Sequence, residues 1–292
     1  MLCAEGAVGG LAVAGSAPGM RGMDALKPWH MAPAVHAVVF CGGSSLGLGA
    51  VEGVARWLAR KGVGMEIEGV RVPLVGGAVI FDLTLTRAKA LPDAALGEQA
   101  CEAAGPGPMA RGSVGAGAGA SVGKLFGLKR ACRGGVGGAS LRTGRLVVGA
   151  MVVVNAFGDV VDEHGRIIAG ARTGEDSTEF ADTEQWYLAG GIRKPGQPAS
   201  TTLAVVATNA RLTKLEATKV AALAHHGLVR AIRPVHTLMD GDLVCVLARG
   251  EEQGDINGLG VMAARVVEVA IRDAVLSAAG LPGLPAAVQL RG

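Results

Sequence analysis

Apolar runs along the chain are separated by turn-forming stretches, and the spacing inside each run distinguishes strands from helices. Residues 36–41 (HAVVFC) form a short apolar run that predicts a strand. Gly42, Gly43, Ser44 and Ser45 turn the chain, and residues 46–61 then read as a helix. Its apolar positions Leu48, Val51, Val54, Ala55 and Leu58 keep helical spacing, and Gly62 is a suitable stop. Residues 70–85 predict one or two strands around Pro73 and the Gly76-Gly77 pair, and residues 93–104 a helix capped by Asp93. Residues 146–155 (LVVGAMVVVN) read as a long β-branched strand, which 157–168 continue through a turn at Glu163-His164-Gly165. After a strand opening at Thr202 come a helix at 213–226, a strand at 242–248 and an amphipathic helix at 258–279. Strands and helices mix without strict alternation, which predicts an α/β sandwich rather than a doubly wound sheet.

Two stretches lack a period. Residues 105–123 are a glycine-rich loop, and residues 170–200 carry many turn formers. A loop as long as the second is usually functional or mobile. It ends in Gly190, Gly191, Pro195, Gly196 and Pro198 and runs into Ser200-Thr201-Thr202 and an apolar strand. Two threonines thus stand where a loop enters a rigid element, a place for a hydroxyl that must be both accessible and firmly held. The alternative is that Thr201 and Thr202 are β-formers opening a strand.

Composition narrows the function. Half of the 292 residues are apolar but only 3% are aromatic, so the core is built from small side chains. The net charge of +3 is scattered, without the basic stripe of a nucleic-acid binder. Cys3, Cys41, Cys101, Cys132 and Cys245 are far apart and show no metal-ligand spacing. Reduced thiols, a cytoplasmic location and no metal or cofactor are the expectation. Residues 1–20 are apolar, but the first basic residue, Arg21, follows them, which is not the order of a signal peptide. Gly and Pro interrupt every apolar run well short of a membrane span, so no membrane partner is expected.

Two local motifs suggest other chemistry. Gly119 to Lys124 resembles a phosphate loop, but Ala118 replaces the leading glycine and Leu125 the magnesium-binding hydroxyl. Gly43-Ser44-Ser45-Leu46-Gly47 fits the G-x-S-x-G elbow of serine hydrolases, between a strand and a helix. Ser45 lies very early for such a nucleophile, and no H-G-G segment supplies the second oxyanion donor. A late histidine, His236, exists, and Asp240, Glu216 or Asp182 would have to serve as its acid.

Six segments in order carry a resemblance to a known family: 36–48 (HAVVFCGGSSLGL), 77–83 (GAVIFDL), 112–124 (GSVGAGAGASVGK), 152–160 (VVVNAFGDV), 201–210 (TTLAVVATNA) and 236–242 (HTLMDGD). Together they resemble the DmpA-type N-terminal-nucleophile hydrolases, which include β-peptidyl and D-amino-acid aminopeptidases and 6-aminohexanoate-oligomer endohydrolases. The nylon-oligomer branch is the most similar, because its nucleophile is threonine and its acid pair is D-G-D. The resemblance covers nearly the whole chain and implies a layered α-β-β-α sandwich of the DmpA/ArgJ-like type.

It implies further that 1–292 is a single hydrolase domain that cuts itself between Ser200 and Thr201 into an α-chain of 1–200 and a β-chain of 201–292. Such αβ units would associate as a homotetramer acting on a small peptide or amide oligomer. The freed α-amine of Thr201, with a reference pKa near roughly 8, is a base for its own hydroxyl. The resemblance gives Lys124 a role in polarising or deprotonating near Thr201 and Asn155 that of oxyanion donor. Asp240 and Asp242 would orient the ammonium and hydroxyl. Phe81 stands in the substrate site where the nylon-oligomer branch carries tyrosine, and Ser200 where the family has Asn or Gly. The N-terminus is shorter than in the family, and loss of an opening strand would expose a sheet edge. A Ser45 esterase and a catalytically inactive homologue are the competing readings.

Overall fold

Apolar residues run nearly unbroken along the central strands because each strand is buried on both faces. The computed structural model describes residues 1–87, 91–193 and 199–290. Its main sheet is built from β1 (Leu2–Val13), β2 (Gly19–Arg21), β3 (Val35–Cys41), β4 (Val75–Val79), β5 (Gly135–Thr143), β6 (Leu146–Asn155), β7 (Thr201–Ala210) and β8 (Leu243–Glu252). Four longer helices accompany it: α1 (Gly49–Arg60), α2 (Ala94–Glu102), α3 (Lys214–Ala231) and α4 (Ile256–Leu276). The strand order is β2-β4-β3-β1-β8-β7-β6-β5.

The sheet doubles back on itself. Leu203 and Val205 of β7 and Leu243, Cys245 and Leu247 of β8 share a cluster with Val38 of β3 and Ala78 of β4. The intervening residues Ala204, Val206, Val244 and Val246 pack instead on α3 and α4, through Ala217, Ala221, Ala263 and Val267 among others. On the far side Ala37 and Val75 pack on Val51, Val54 and Leu58 of α1 and Cys101 of α2. The layers therefore run helix, sheet, sheet, helix, which is the expected α-β-β-α sandwich.

β1 joins the two sheets. Its residues Val8–Val13 pair with β8, while Leu2 and Ala7 pair with β3 across a register shift. No period in the sequence marks this strand, yet it lies mid-sheet, with the edges at β2 and β5.

Other boundaries move slightly. α1 is preceded by a 3₁₀ turn over Ser44–Leu48, and α3 runs to Ala231, started by a Thr213–Glu216 capping box. Asp93 caps α2 by accepting from the Leu96 amide. Within the periodless stretch, Thr183–Leu188 forms a short helix. Pro195, Gly196 and Pro198 lie outside the described residues.

Candidate active site

Three strand ends converge. β6 and β7 are antiparallel, with Asn155 opposite Thr201. β7 and β8 are parallel, with Leu203 opposite Leu243, and Ser200 bridges to Asp240 just before them. Lys124 enters from the glycine-rich loop, held where its backbone N–H donates to the Phe157 carbonyl. Of the residues singled out from the sequence, Lys124, Asn155, Ser200, Thr201, Asp240 and Asp242 are thus brought together.

The lysine amine is fully enclosed. Its Nζ donates to Asn155 Oδ1 at 2.7 Å, to the Asn155 carbonyl at 3.0 Å and to Ser200 Oγ at 3.3 Å. Loss of water around the ammonium lowers its pKa to about 7, against the opposing charges of Asp240, Asp82 and Asp242. Near neutrality it therefore exists in both protonation states. Asn155 Oδ1 also accepts from the Ser121 amide at 3.1 Å, and Nδ2 donates to the Phe81 carbonyl at 3.1 Å. One amide proton of Asn155 is used this way, leaving a second donor on the same nitrogen.

The Ser200 carbonyl lies at the centre of these contacts. The Thr201 hydroxyl donates to its oxygen at 2.5 Å, and the Gly241 N–H donates to the same oxygen at 2.8 Å. Both residues are buried, Thr201 at 3% exposure and Ser200 at 0%. Gly241 can approach only because it has no side chain. A Cβ there would lie 2.8 Å from Thr201 Oγ1 and 2.6 Å from the Ala17 carbonyl oxygen.

The two aspartates flanking Gly241 have separate partners. Asp240 accepts from the Phe157 amide at 3.2 Å, from Thr237 Oγ1 at 2.6 Å and from the Thr237 amide at 3.1 Å. Burial, and then the neighbouring Asp242 charge, push its carboxyl up. Asp242 Oδ1 accepts from the Thr202 amide at 2.6 Å, and Oδ2 faces His236.

Some contributors were not readable from side chains. Residues 14–17 lie over the D-G-D turn, with the Ala14 and Gly15 amides on the Asp242 carbonyl and the Ala17 amide on the Asp240 carbonyl. The amides of Ser121 and Phe157 are main-chain groups that any residue type but proline would supply.

Phe81 and Asp82 share a narrow cleft with Lys124. Asp82 also lines a cavity of about 380 Å³ walled by Val39, Phe40, Leu91, Leu96 and Ala116. A second cavity, of about 590 Å³, begins at Leu125 and is walled by Phe126, Trp186, Ile192 and Arg193.

Ser45 stands apart. It lies exposed in the turn between β3 and α1, so the strand-turn-helix setting is as expected. Among the described residues no hydrogen bond joins it to a histidine. His236 is bonded to Asp242, Glu216 belongs to the α3 capping box, and Asp182 caps the short helix at Thr183. No group of three or more metal-ligating side chains occurs among the described residues.

Comparison with known proteins gives the family and the fold. The model of peptidase family S58 matches residues 1–288. An uncharacterized aminopeptidase of Mycobacterium leprae is 38% identical over 98% of this chain and 83% of its own length. A 6-aminohexanoate-oligomer endohydrolase of Kocuria sp. is 33% identical over 84% of this chain and 71% of its own. Among solved structures, a Burkholderia sp. beta-aminopeptidase superposes with a TM-score of 0.67 at 19% identity, covering 97% of this chain and 80% of that one. The L-aminopeptidase D-Ala-esterase/amidase of Ochrobactrum anthropi, a variant of the Ntn hydrolase fold, gives a TM-score of 0.65 at 16% identity over 96% and 76% of the two chains. The fold is that of the Ntn hydrolase aminopeptidases, and the chain, an amide-bond hydrolase, belongs to peptidase family S58.

Proposed function

We propose that the chain is a precursor that cuts its own Ser200–Thr201 bond and then hydrolyses peptide or peptide-like amides with Thr201 as N-terminal nucleophile. The observation that carries this is the Ser200 carbonyl, which receives the Gly241 N–H at 2.8 Å and the Thr201 hydroxyl at 2.5 Å. In the first reaction Oγ1 of Thr201 attacks the Ser200 carbonyl carbon. Negative charge then develops on an oxygen that already has a fixed donor. Collapse shifts the acyl group from nitrogen to oxygen, the nitrogen gaining a proton, and water splits the ester. Lys124, with a pKa of about 7, is suited to take the hydroxyl proton.

Cleavage converts an amide nitrogen into an α-amine, which is a base where the amide was none. In the mature enzyme Thr201 attacks the substrate amide, and Asn155 stabilises the oxyanion from the neighbouring strand. The protonated amine then gives its proton to the departing substrate amine, and water hydrolyses the acyl ester on Oγ1 to free Thr201. Asp240 and Asp242 hold the ammonium form and the Thr202 amide in register. Relatives named as aminopeptidase and as 6-aminohexanoate-oligomer endohydrolase bracket the substrate class. Phe81 brings no phenol to this site, so any hydroxyl contribution from that position is absent.

The pieces 1–200 and 201–292 stay associated in this reading, and a tetramer of αβ units rests on the resemblance alone. A cytoplasmic location is supported by five cysteines that are all unpaired. Among the described residues no helix is long and apolar enough to cross a membrane.

A denaturing gel tests the proposal. Purified protein is expected as two bands of about 20 and about 9 kDa, at roughly 100 Da per residue. Thr201→Ala is expected to remain one intact, inactive chain, while Ser45→Ala processes normally. An intact chain whose hydrolysis depends on Ser45 would establish the elbow reading instead.

A further inference from the structure

His236 has no part in the chemistry above, yet its bonds are specific. Its Nδ1 lies 2.9 Å from Asp242 Oδ2, and its own backbone N–H donates to the same oxygen at 3.2 Å. A carboxylate only accepts, so Nδ1 carries the proton and the neutral ring has its lone pair on Nε2. Beside it stands His225 of α3, ring centroids 4.9 Å apart and planes at 76°. His225 Nε2 lies 3.1 Å from the Ala12 carbonyl oxygen, so this nitrogen carries the proton and Nδ1 the lone pair.

The two remaining nitrogens, His236 Nε2 and His225 Nδ1, are buried and have no hydrogen-bond partner among the described residues. Neither ring can change tautomer without aiming a lone pair at an acceptor, and neither can flip without putting a C–H where its donor stands. The pair is thus locked in one orientation, with a single N–H pointing at Asp242. The backbone is also committed, since His236 has φ of +57°, where Gly and Asn are the favoured residues.

We propose that His236 is a positioning residue for Asp242. It clamps Oδ2 with ring and backbone donors so that Oδ1 stays on the Thr202 amide at 2.6 Å, and His225 wedges the ring in place. That amide follows the nucleophile directly, so the clamp fixes where Thr201 lies at the head of β7. The inference rests on the assignment of Thr201 as nucleophile. The other charged or titratable groups around the clamp are Asp240 and Lys124 in the site and His226 on α3.

Two backbone-compatible variants separate the donor from the fold. His236→Gly accepts the left-handed conformation but has no side-chain donor. His236→Asn accepts it too, and its amide N–H replaces Nδ1–H. The readout is the rate of self-cleavage of freshly translated full-length chain, followed on gels from pH 5 to 9, which requires no knowledge of the substrate. Loss of one charge-assisted donor should slow His236→Gly on the order of tenfold. His236→Asn should recover the rate to within about threefold, which a merely structural role for the ring would not give. A glycine variant as fast as wild type overturns the inference, as does an asparagine variant no better than glycine. If wild type itself does not cut, the nucleophile assignment fails instead.

Discussion

Asp240 and Asp242 sit two residues apart, both buried, and both close enough to Lys124 to hold its proton against desolvation. Asp240→Asn and Asp242→Asn keep size and much of the hydrogen bonding, so the folded protein is expected to persist. Rates should fall about a hundredfold or more, as for loss of a positioned electrostatic partner. With one negative charge gone, the protonated forms of Lys124 and the Thr201 amine are less favoured, their pKa values fall, and the acidic limb of the pH–rate profile moves to lower pH. Near-wild-type rates with an unmoved limb would remove the aspartates from the mechanism. At this scale the sequence was informative wherever chemistry resides in a side chain. Lys124, Asn155 and the D-G-D pair came from the resemblance, and the structure brings them to one point. What could not be read were donors that belong to the backbone, such as the Gly241 amide on the Ser200 carbonyl, because no residue letter encodes them.

Elements were legible where a strand is rich in β-branched residues or a helix shows a period. β6 has the bounds its composition predicts, Leu146–Asn155. β1 and β5 were not legible, and the reason is close packing. Both contain paired glycines, at Gly9-Gly10 and Gly137-Gly138, which weaken any strand propensity. These glycines admit helices. A Cβ on Gly10 would lie 2.2 Å from the Ala217 carbonyl carbon of α3, and one on Gly137 would lie 2.0 Å from the Ala270 carbonyl oxygen of α4. Gly10→Ala is therefore expected to push α3 outward and cost about 1–3 kcal/mol. Chemical denaturation measures that loss, and an unchanged midpoint would show that the layer is softer than its geometry implies.

For the whole molecule, buried titratable groups set how stability follows pH. Lys124 is lowered to about 7 in the fold, so between that pH and its unfolded value the unfolded chain binds the extra proton. Its contribution to stability therefore rises with pH across that window and is smallest below pH 7. Cys41, Cys132 and Cys245 are pushed up by burial to about 12, 11 and 12, and they act in the opposite sense as unfolded thiols ionise. The difference between wild type and Lys124→Met isolates the lysine. Measured by denaturant unfolding, wild type should gain on the variant from pH 7 to 10, and a constant difference would show that the amine is not perturbed. These comparisons are best made in a Thr201→Ala background, where neither chain is cut.

Strand order gives the proposed cut a further consequence. β7 and β8 belong to the second piece, but they lie between β1 and β6 of the first, joined to β1 by six registered pairs and to β6 by eight. The second piece is laced into the first rather than docked against it. Two halves made separately would each meet a finished or collapsed sheet with no gap to enter. Maturation is then a one-way event in the life of the molecule: the continuous chain is needed to weave the sheet, and once cut, an enzyme that unfolds has lost the means of weaving it again.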